Sequence, residues 1–93
     1  MTAPIDVVIN NSIIKERIGT IRNMQIIIYS NDHNPPHFHV KSKDHSVNAK
    51  FLISDCSLME GEINSNDLKR IQAFYADVKV KATMEMIWNK KIS

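Results

Sequence analysis

The sequence has few of the residues that stabilise small extracellular proteins or span membranes. Its 93 residues include a single cysteine, Cys56, which excludes an internal disulfide and fits a reducing compartment. No apolar run approaches the roughly 18 residues that a membrane span needs. The first residues lack the basic flank and cleavage pattern of a signal peptide. We therefore expect a cytoplasmic protein without a membrane segment.

Charge of one sign is also scarce, since the formal net charge is only +2. That balance is too weak by itself to indicate nucleic-acid binding. Charged residues make up 24% of the chain, as in ordinary globular proteins, and there is no repeat or linker that would divide it. We predict a single domain over 1–93, with a variable lead at 1–16, a mainly β part at 17–63 and a helical part at 64–91.

Short apolar segments separated by polar turns fill the middle of the chain. The β-branched run at 24–29 is typical of a strand that is buried on both faces. Gly19 is predicted to mark a turn before this run, and Gly61 to bend the last strand. The pattern indicates an antiparallel β-meander of about four strands, at 24–29, 37–41, 47–53 and 58–63.

After residue 63 the apolar period changes from two to between three and four. Asn64 or Ser65 can cap a first helix, and Asp77 can cap a second. The sequence predicts two amphipathic helices packed on one face of the sheet, an α+β fold. Their apolar stripes are Leu68, Ile71, Phe74 and Tyr75 in the first helix, and Val80, Met84, Ile87 and Trp88 in the second.

Three of the four histidines fall in one short stretch, 31–40, which also holds two of the three prolines. The prolines stiffen the chain before a new strand begins at His37. Because side chains alternate along a strand, His37 and His39 should share one face while Phe38 points to the core. This pair of imidazoles, next to a turn that carries Asp32 and His33, is the sharpest chemical feature of the chain.

Two kinds of chemistry fit this locus, besides a purely structural role. Imidazole and carboxylate suit a divalent metal such as zinc, with His37, His39 and Asp32 as candidate ligands. Without a metal, the two histidines could act as acid and base in RNA cleavage. Further candidate ligands are His33, His45, Glu60 and Glu62. Basic groups that could stabilise negative charge are Lys41, Lys50 and Arg22.

The order of these features resembles a known bacterial family. The Pro35-Pro36-His37-Phe38-His39-Val40 segment is the most specific part of the likeness, which runs from about Arg17 to Trp88. It resembles the domain-of-unknown-function family four-one-six-zero. The resemblance implies a component of a two-gene, toxin–antitoxin-like module.

The resemblance and the residues together lead to two functional hypotheses. The first is a module that acts mainly by binding a small partner protein, with nucleic acid as a further partner. The alternative is a histidine-based hydrolase, most simply a ribonuclease, with or without a divalent metal. Catalysis would then rest on His37 and His39, and substrate or partner binding on Asp32, His33, Lys41 and Lys50. Whether the protein is an enzyme stays open on the sequence alone.

Overall fold

A computed structural model describes residues 15–92 and shows a sheet followed by two helices. The predicted lead therefore lies almost wholly outside the described residues, and its last two positions, Lys15 and Glu16, belong to the first strand. The elements are β1 Lys15–Ile21, β2 Met24–Tyr29, β3 His37–Ser42, β4 Asn48–Leu52, β5 Leu58–Glu62, α1 Ser65–Tyr75 and α2 Val78–Ile92.

The five described strands form one antiparallel sheet in the order β1-β2-β3-β4-β5, so each strand pairs with its neighbour in sequence. The α+β prediction is confirmed, with one strand more than the four expected. The additional strand is β1. It contains Gly19, so the turn predicted there is wrong; the chain turns between Ile21 and Met24 instead.

Gly19 is a packing position rather than a turn. A Cβ atom built on it would lie 2.8 Å from Cζ of Phe74 in α1, closer than real Cβ contacts. The absence of a side chain thus lets the aromatic ring approach the strand. A local sequence pattern cannot reveal this, because the partner lies on a helix at the far end of the chain.

The core lies between the sheet and the helices. Phe38 and Phe51 stack across β3 and β4, with ring centroids 5.5 Å apart, and Tyr75 of α1 stacks on Phe38. Ile71 and Met84 bring the two helices into the same cluster, and both are fully buried. Burying each large apolar side chain contributes about 1.5–3 kcal/mol, so this face holds the helices on the sheet.

The start of α1 follows the local signals in the sequence. The side chain of Asn64 accepts a hydrogen bond from the backbone N–H of Asp67 at 2.8 Å, which makes Asn64 the N-cap. Asp67 lies in the first turn, where negative charge is favourable, and it pairs with Arg70. At α2, Asp77 accepts from the N–H of Lys79 in the same manner. No helix in the described part of the chain has the length and apolar character needed to cross a bilayer.

Candidate functional site

The site begins at the turn that follows β2. The backbone N–H of Asp32 donates to the carbonyl oxygen of Tyr29 at 3.2 Å, and the N–H of Tyr29 donates to Oδ2 of Asp32 at 3.1 Å. The first bond closes a backbone turn over residues 29–32, and the second ties the Asp32 side chain back to the end of β2. They hold the Asp32 carboxylate at the end of the sheet, with only 11% of the side chain exposed.

The proline segment brings the chain back to the sheet and orients His37. The carbonyl oxygen of Pro36 accepts from the N–H of Ile53, and the Asn34–Pro35 peptide bond is cis. The carbonyl oxygen of Pro35 accepts a hydrogen bond from Nδ1 of His37 at 2.8 Å. A carbonyl can only accept, so the proton lies on Nδ1. In the neutral ring Nε2 then carries a lone pair, and it faces Oδ1 of Asp32 at 3.6 Å.

His39 approaches the same carboxylate from the same face of β3. Its Nε2 lies 3.1 Å from Oδ1 and 3.2 Å from Oδ2 of Asp32. Burial lowers the pKa of His39 below its usual 6.5 because the charged ring loses its water; the hydrogen bond and charge of Asp32 only partly oppose this. Repulsion from His37 and Lys50 lowers the pKa further. Burial thus favours the neutral form of the His39 ring, which is the form that binds metals.

The three side chains form one compact donor set. Their ligand atoms all lie within 4.8 Å of one another. A tetrahedral zinc ion with bonds of about 2.0–2.1 Å has ligand atoms about 3.3 Å apart, close to the 3.1 Å and 3.6 Å between the imidazoles and Asp32. The donor set thus has the ligand chemistry that a divalent cation needs, and both Asp32–imidazole separations are close to the tetrahedral spacing.

Two aromatic rings flank the histidines. Tyr29 meets His39 edge-on, with ring centroids 4.7 Å apart, and Trp88 lies 5.5 Å from His37. The imidazole centroids are 5.2 Å apart, and both histidines are more than nine-tenths buried. The prediction that they share one face is confirmed. Sequence reasoning placed Trp88 only in the core and gave no role to Tyr29, because ring contacts depend on the tertiary fold.

The other predicted site residues lie apart from this donor set. His33 is exposed, and neither it nor His45, Glu60 or Glu62 joins the cluster among the residues that the structure describes. Lys50 pairs with His39 in the strand register, and its ammonium group lies 3.5 Å from Glu60. The ammonium group of Lys41 lies 5.1 Å from the centre of the Tyr29 ring. Asp32 is therefore the single additional candidate that reaches the two histidines.

A comparison with protein-family models gives one match, to a family described as Domain of unknown function (DUF4160), over residues 23–83. The matched region covers more than half of the chain and contains Asp32, His37 and His39. No match is found among the curated proteins or among the solved structures.

Proposed function

Since the chain belongs to the DUF4160 family, whose description assigns no activity, we propose a function from the geometry of the site. Asp32, His37 and His39 hold a divalent cation such as zinc, and the protein is a hydrolase of phosphodiester bonds. The observation that carries this proposal is the direction of His37: its Nδ1–H is engaged by Pro35, so its Nε2 faces a carboxylate oxygen.

Two acceptors that face each other are unfavourable unless a positive charge lies between them. For His37 and Asp32 that charge is either a proton or a metal ion. The separation of 3.6 Å is longer than a good hydrogen bond, whereas it fits two ligands of one cation. A backbone carbonyl that fixes the tautomer of a ligating histidine is also a common feature of metal sites. The metal ion is therefore the better fit.

The proposed chemistry is attack by water on phosphorus. A divalent cation held by Asp32, His37 and His39 would lower the pKa of a water molecule bound to it. The water oxygen forms a new bond to phosphorus, the ester bond to the leaving oxygen breaks, and the proton released by water ends on the leaving alcohol. Lys50, which lies opposite His39 in the sheet and 3.5 Å from Glu60, would add positive charge near the phosphate by exchanging Glu60 for the substrate.

Zinc titration by calorimetry tests the metal centre. Wild type is expected to bind one zinc ion. Removal of a residue that only orients a metal ligand lowers metal affinity by about 10–100-fold, and Asp32→Asn should lower it by more than that, because it removes a ligand. Glu62→Gln, which removes an exposed carboxylate outside the site, serves as the control and should bind as wild type does. Equal zinc binding by wild type and Asp32→Asn would reject the assignment.

Cleavage of a labelled single-stranded RNA tests the reaction. Wild type with zinc should cut it, and chelator or Asp32→Asn should abolish cutting. Cleavage that persists in chelator but disappears in a His37→Ala, His39→Ala variant would instead assign metal-free acid–base catalysis by the histidine pair. An RNA left intact under conditions in which an authentic ribonuclease cuts it would contradict both versions.

A second candidate function, binding of a small partner protein, is supported by β5. Among the described strands β5 pairs only with β4, and all five of its residues are exposed, including Leu58 and Met59. An edge strand of this kind can accept an extended segment of another protein as a further strand. In the toxin–antitoxin-like module implied by the resemblance, that segment would come from the neighbouring gene product.

Co-expression with the neighbouring gene product tests this second function. The two proteins should co-purify, and Met59→Lys should abolish co-purification by placing a charge on the edge. Met86→Lys is the matched control, because Met86 is also exposed but lies on α2. Co-purification that survives Met59→Lys would exclude the β5 edge as the docking surface.

A further inference from the structure

A basic pocket lies on the sheet beside the histidine–aspartate cluster. It is an open depression of about 290 Å³ that runs along β2 from Gln25 to Tyr29 and is bordered by the start of β1, the end of β3 and the turn that follows β3. Lys15 reaches it because Lys15 pairs with Tyr29 in the register, and Lys41 because it pairs with Gln25. The polar residues that line it are Lys15, Gln25, Tyr29, Lys41, Ser42, Lys43 and His45.

The lysines of this pocket are not neutralised. Within residues 15–92 no carboxylate lies within ion-pairing distance of Lys15, Lys41 or Lys43, whereas Lys50 and Lys90 each have an acidic partner. Asp44 is near in sequence, but its Oδ1 accepts from the hydroxyl groups of Ser42 and Ser46 instead. Three ammonium groups around one depression create a field that attracts an anion.

Tyr29 connects the pocket to the proposed metal centre. Tyr29 lines the pocket, its ring contacts His39, and the ammonium group of Lys41 lies over the same ring. Lys41 follows His39 by two positions on β3 and so projects from the same face, about 7 Å along the strand. An anion bound by Lys41 would therefore lie about 7 Å along the strand from His39.

We propose that this pocket binds a backbone phosphate of a single-stranded nucleic acid whose neighbouring phosphodiester reaches Asp32, His37 and His39. The inference names the substrate class of the site and rests on the function proposed above. Phosphate fits because lysines bind it as point charges, while the amide of Gln25 and the hydroxyl of Tyr29 can donate to its oxygens. A single strand fits because the cluster is nearly buried, and a rigid duplex cannot bring its phosphates that deep.

Fluorescence anisotropy with a labelled single-stranded oligoribonucleotide, in chelator so that no cleavage occurs, tests the inference. The variant is Lys15→Gln, Lys43→Gln, in which both changed lysines are exposed. The matched control is Lys69→Gln, Lys79→Gln, which removes two exposed lysines from the helices and lowers the net charge equally.

The salt dependence of binding gives the decisive readout. Loss of two phosphate contacts should reduce the slope of log K against log salt by about 1.4, because each contact on a single strand contributes about 0.7. The control should keep the slope of wild type. Equal losses in variant and control would overturn the inference, as would equally tight binding of a duplex or of inorganic phosphate.

The two proposals fail separately. Wild type that binds the oligoribonucleotide through these lysines but takes up no zinc would reject the metal centre and leave the phosphate pocket standing. Wild type that binds zinc, while Lys15→Gln, Lys43→Gln leaves the salt slope unchanged, would reject the pocket and leave the metal centre standing.

Discussion

His37 lies between two oxygens, the carbonyl of Pro35 at 2.8 Å from its Nδ1 and Oδ1 of Asp32 at 3.6 Å from its Nε2. The hydrogen bond to Pro35 places the proton on Nδ1 and fixes the direction of the ring. In the neutral ring, Nε2 therefore carries a lone pair, and it faces the carboxylate of Asp32. The backbone of the proline segment therefore determines how the side chain takes part in the site. We expect a substitution of Asp32 to alter the ligand set and to leave the hydrogen bond between His37 and Pro35 in place.

The tautomer of His37 is directly testable. Long-range proton–nitrogen correlation spectra of the metal-free protein should show His37 with its proton on Nδ1, and addition of zinc should shift its Nε2 signal. His33, which is exposed and outside the donor set, is the internal control and should not respond to zinc. A His37 ring protonated on Nε2 alone, or unchanged by zinc, would contradict the arrangement.

Local patterns in the sequence are sufficient to predict part of the fold. The β-branched run of β2 and the Asn64 cap depend on neighbouring residues, and both match the structure. The same holds for His37 and His39, because alternation along a strand is a local property. The sequence does not predict β1, because a glycine beside polar residues is typical of a turn, whereas the lack of a side chain at Gly19 serves a contact with Phe74.

The surroundings of the site were less accessible to sequence reasoning. Asp32 is a candidate on proximity alone, since only four residues separate it from His37. Trp88 contacts His37 from the last helix, and Lys15 enters the basic pocket through its pairing with Tyr29. Both contacts depend on strand register and helix packing, which a single sequence does not determine.

The two glycines provide a stability test with a built-in comparison. Gly61 has a φ of +91°, and a Cβ there would meet the carbonyl oxygen of Asn48 and lie 2.8 Å from Cα of Ala49. Gly61→Ala should therefore lower the free energy of unfolding by about 1–3 kcal/mol. Gly19→Ala should cost less, since the atom it meets is the far end of the Phe74 ring, which can move. Urea denaturation measures both; a larger loss for Gly19→Ala would contradict the comparison.

Met84 and Met86 differ in burial although they are two residues apart on α2. Met84 is fully buried in the core, while Met86 is 62% exposed. Met84→Ala should lower the free energy of unfolding by about 2–5 kcal/mol, because it removes apolar contacts and leaves a cavity. Met86→Ala should change it by less than about 0.5 kcal/mol. Equal effects of the two substitutions in urea denaturation would mean that α2 does not pack on the sheet through Met84.

Asp44, in the turn after β3, should make part of the free energy of unfolding depend on pH. Hydrogen bonds from the side chains of Ser46 and Ser42 lower the pKa of Asp44 from 3.8 to about 2. Folding thus favours the ionised carboxylate, so its contribution is complete above pH 3.8 and is lost as the pH falls through about 2. Asp44→Asn should lower the urea midpoint at pH 5, and its difference from wild type should shrink towards pH 2. Glu85→Gln, at an exposed carboxylate on α2, is the control, and its difference in urea midpoint from wild type should not shrink between pH 5 and pH 2. If the difference between wild type and Asp44→Asn stays constant from pH 5 to pH 2, the serines do not stabilise the charge of the Asp44 carboxylate.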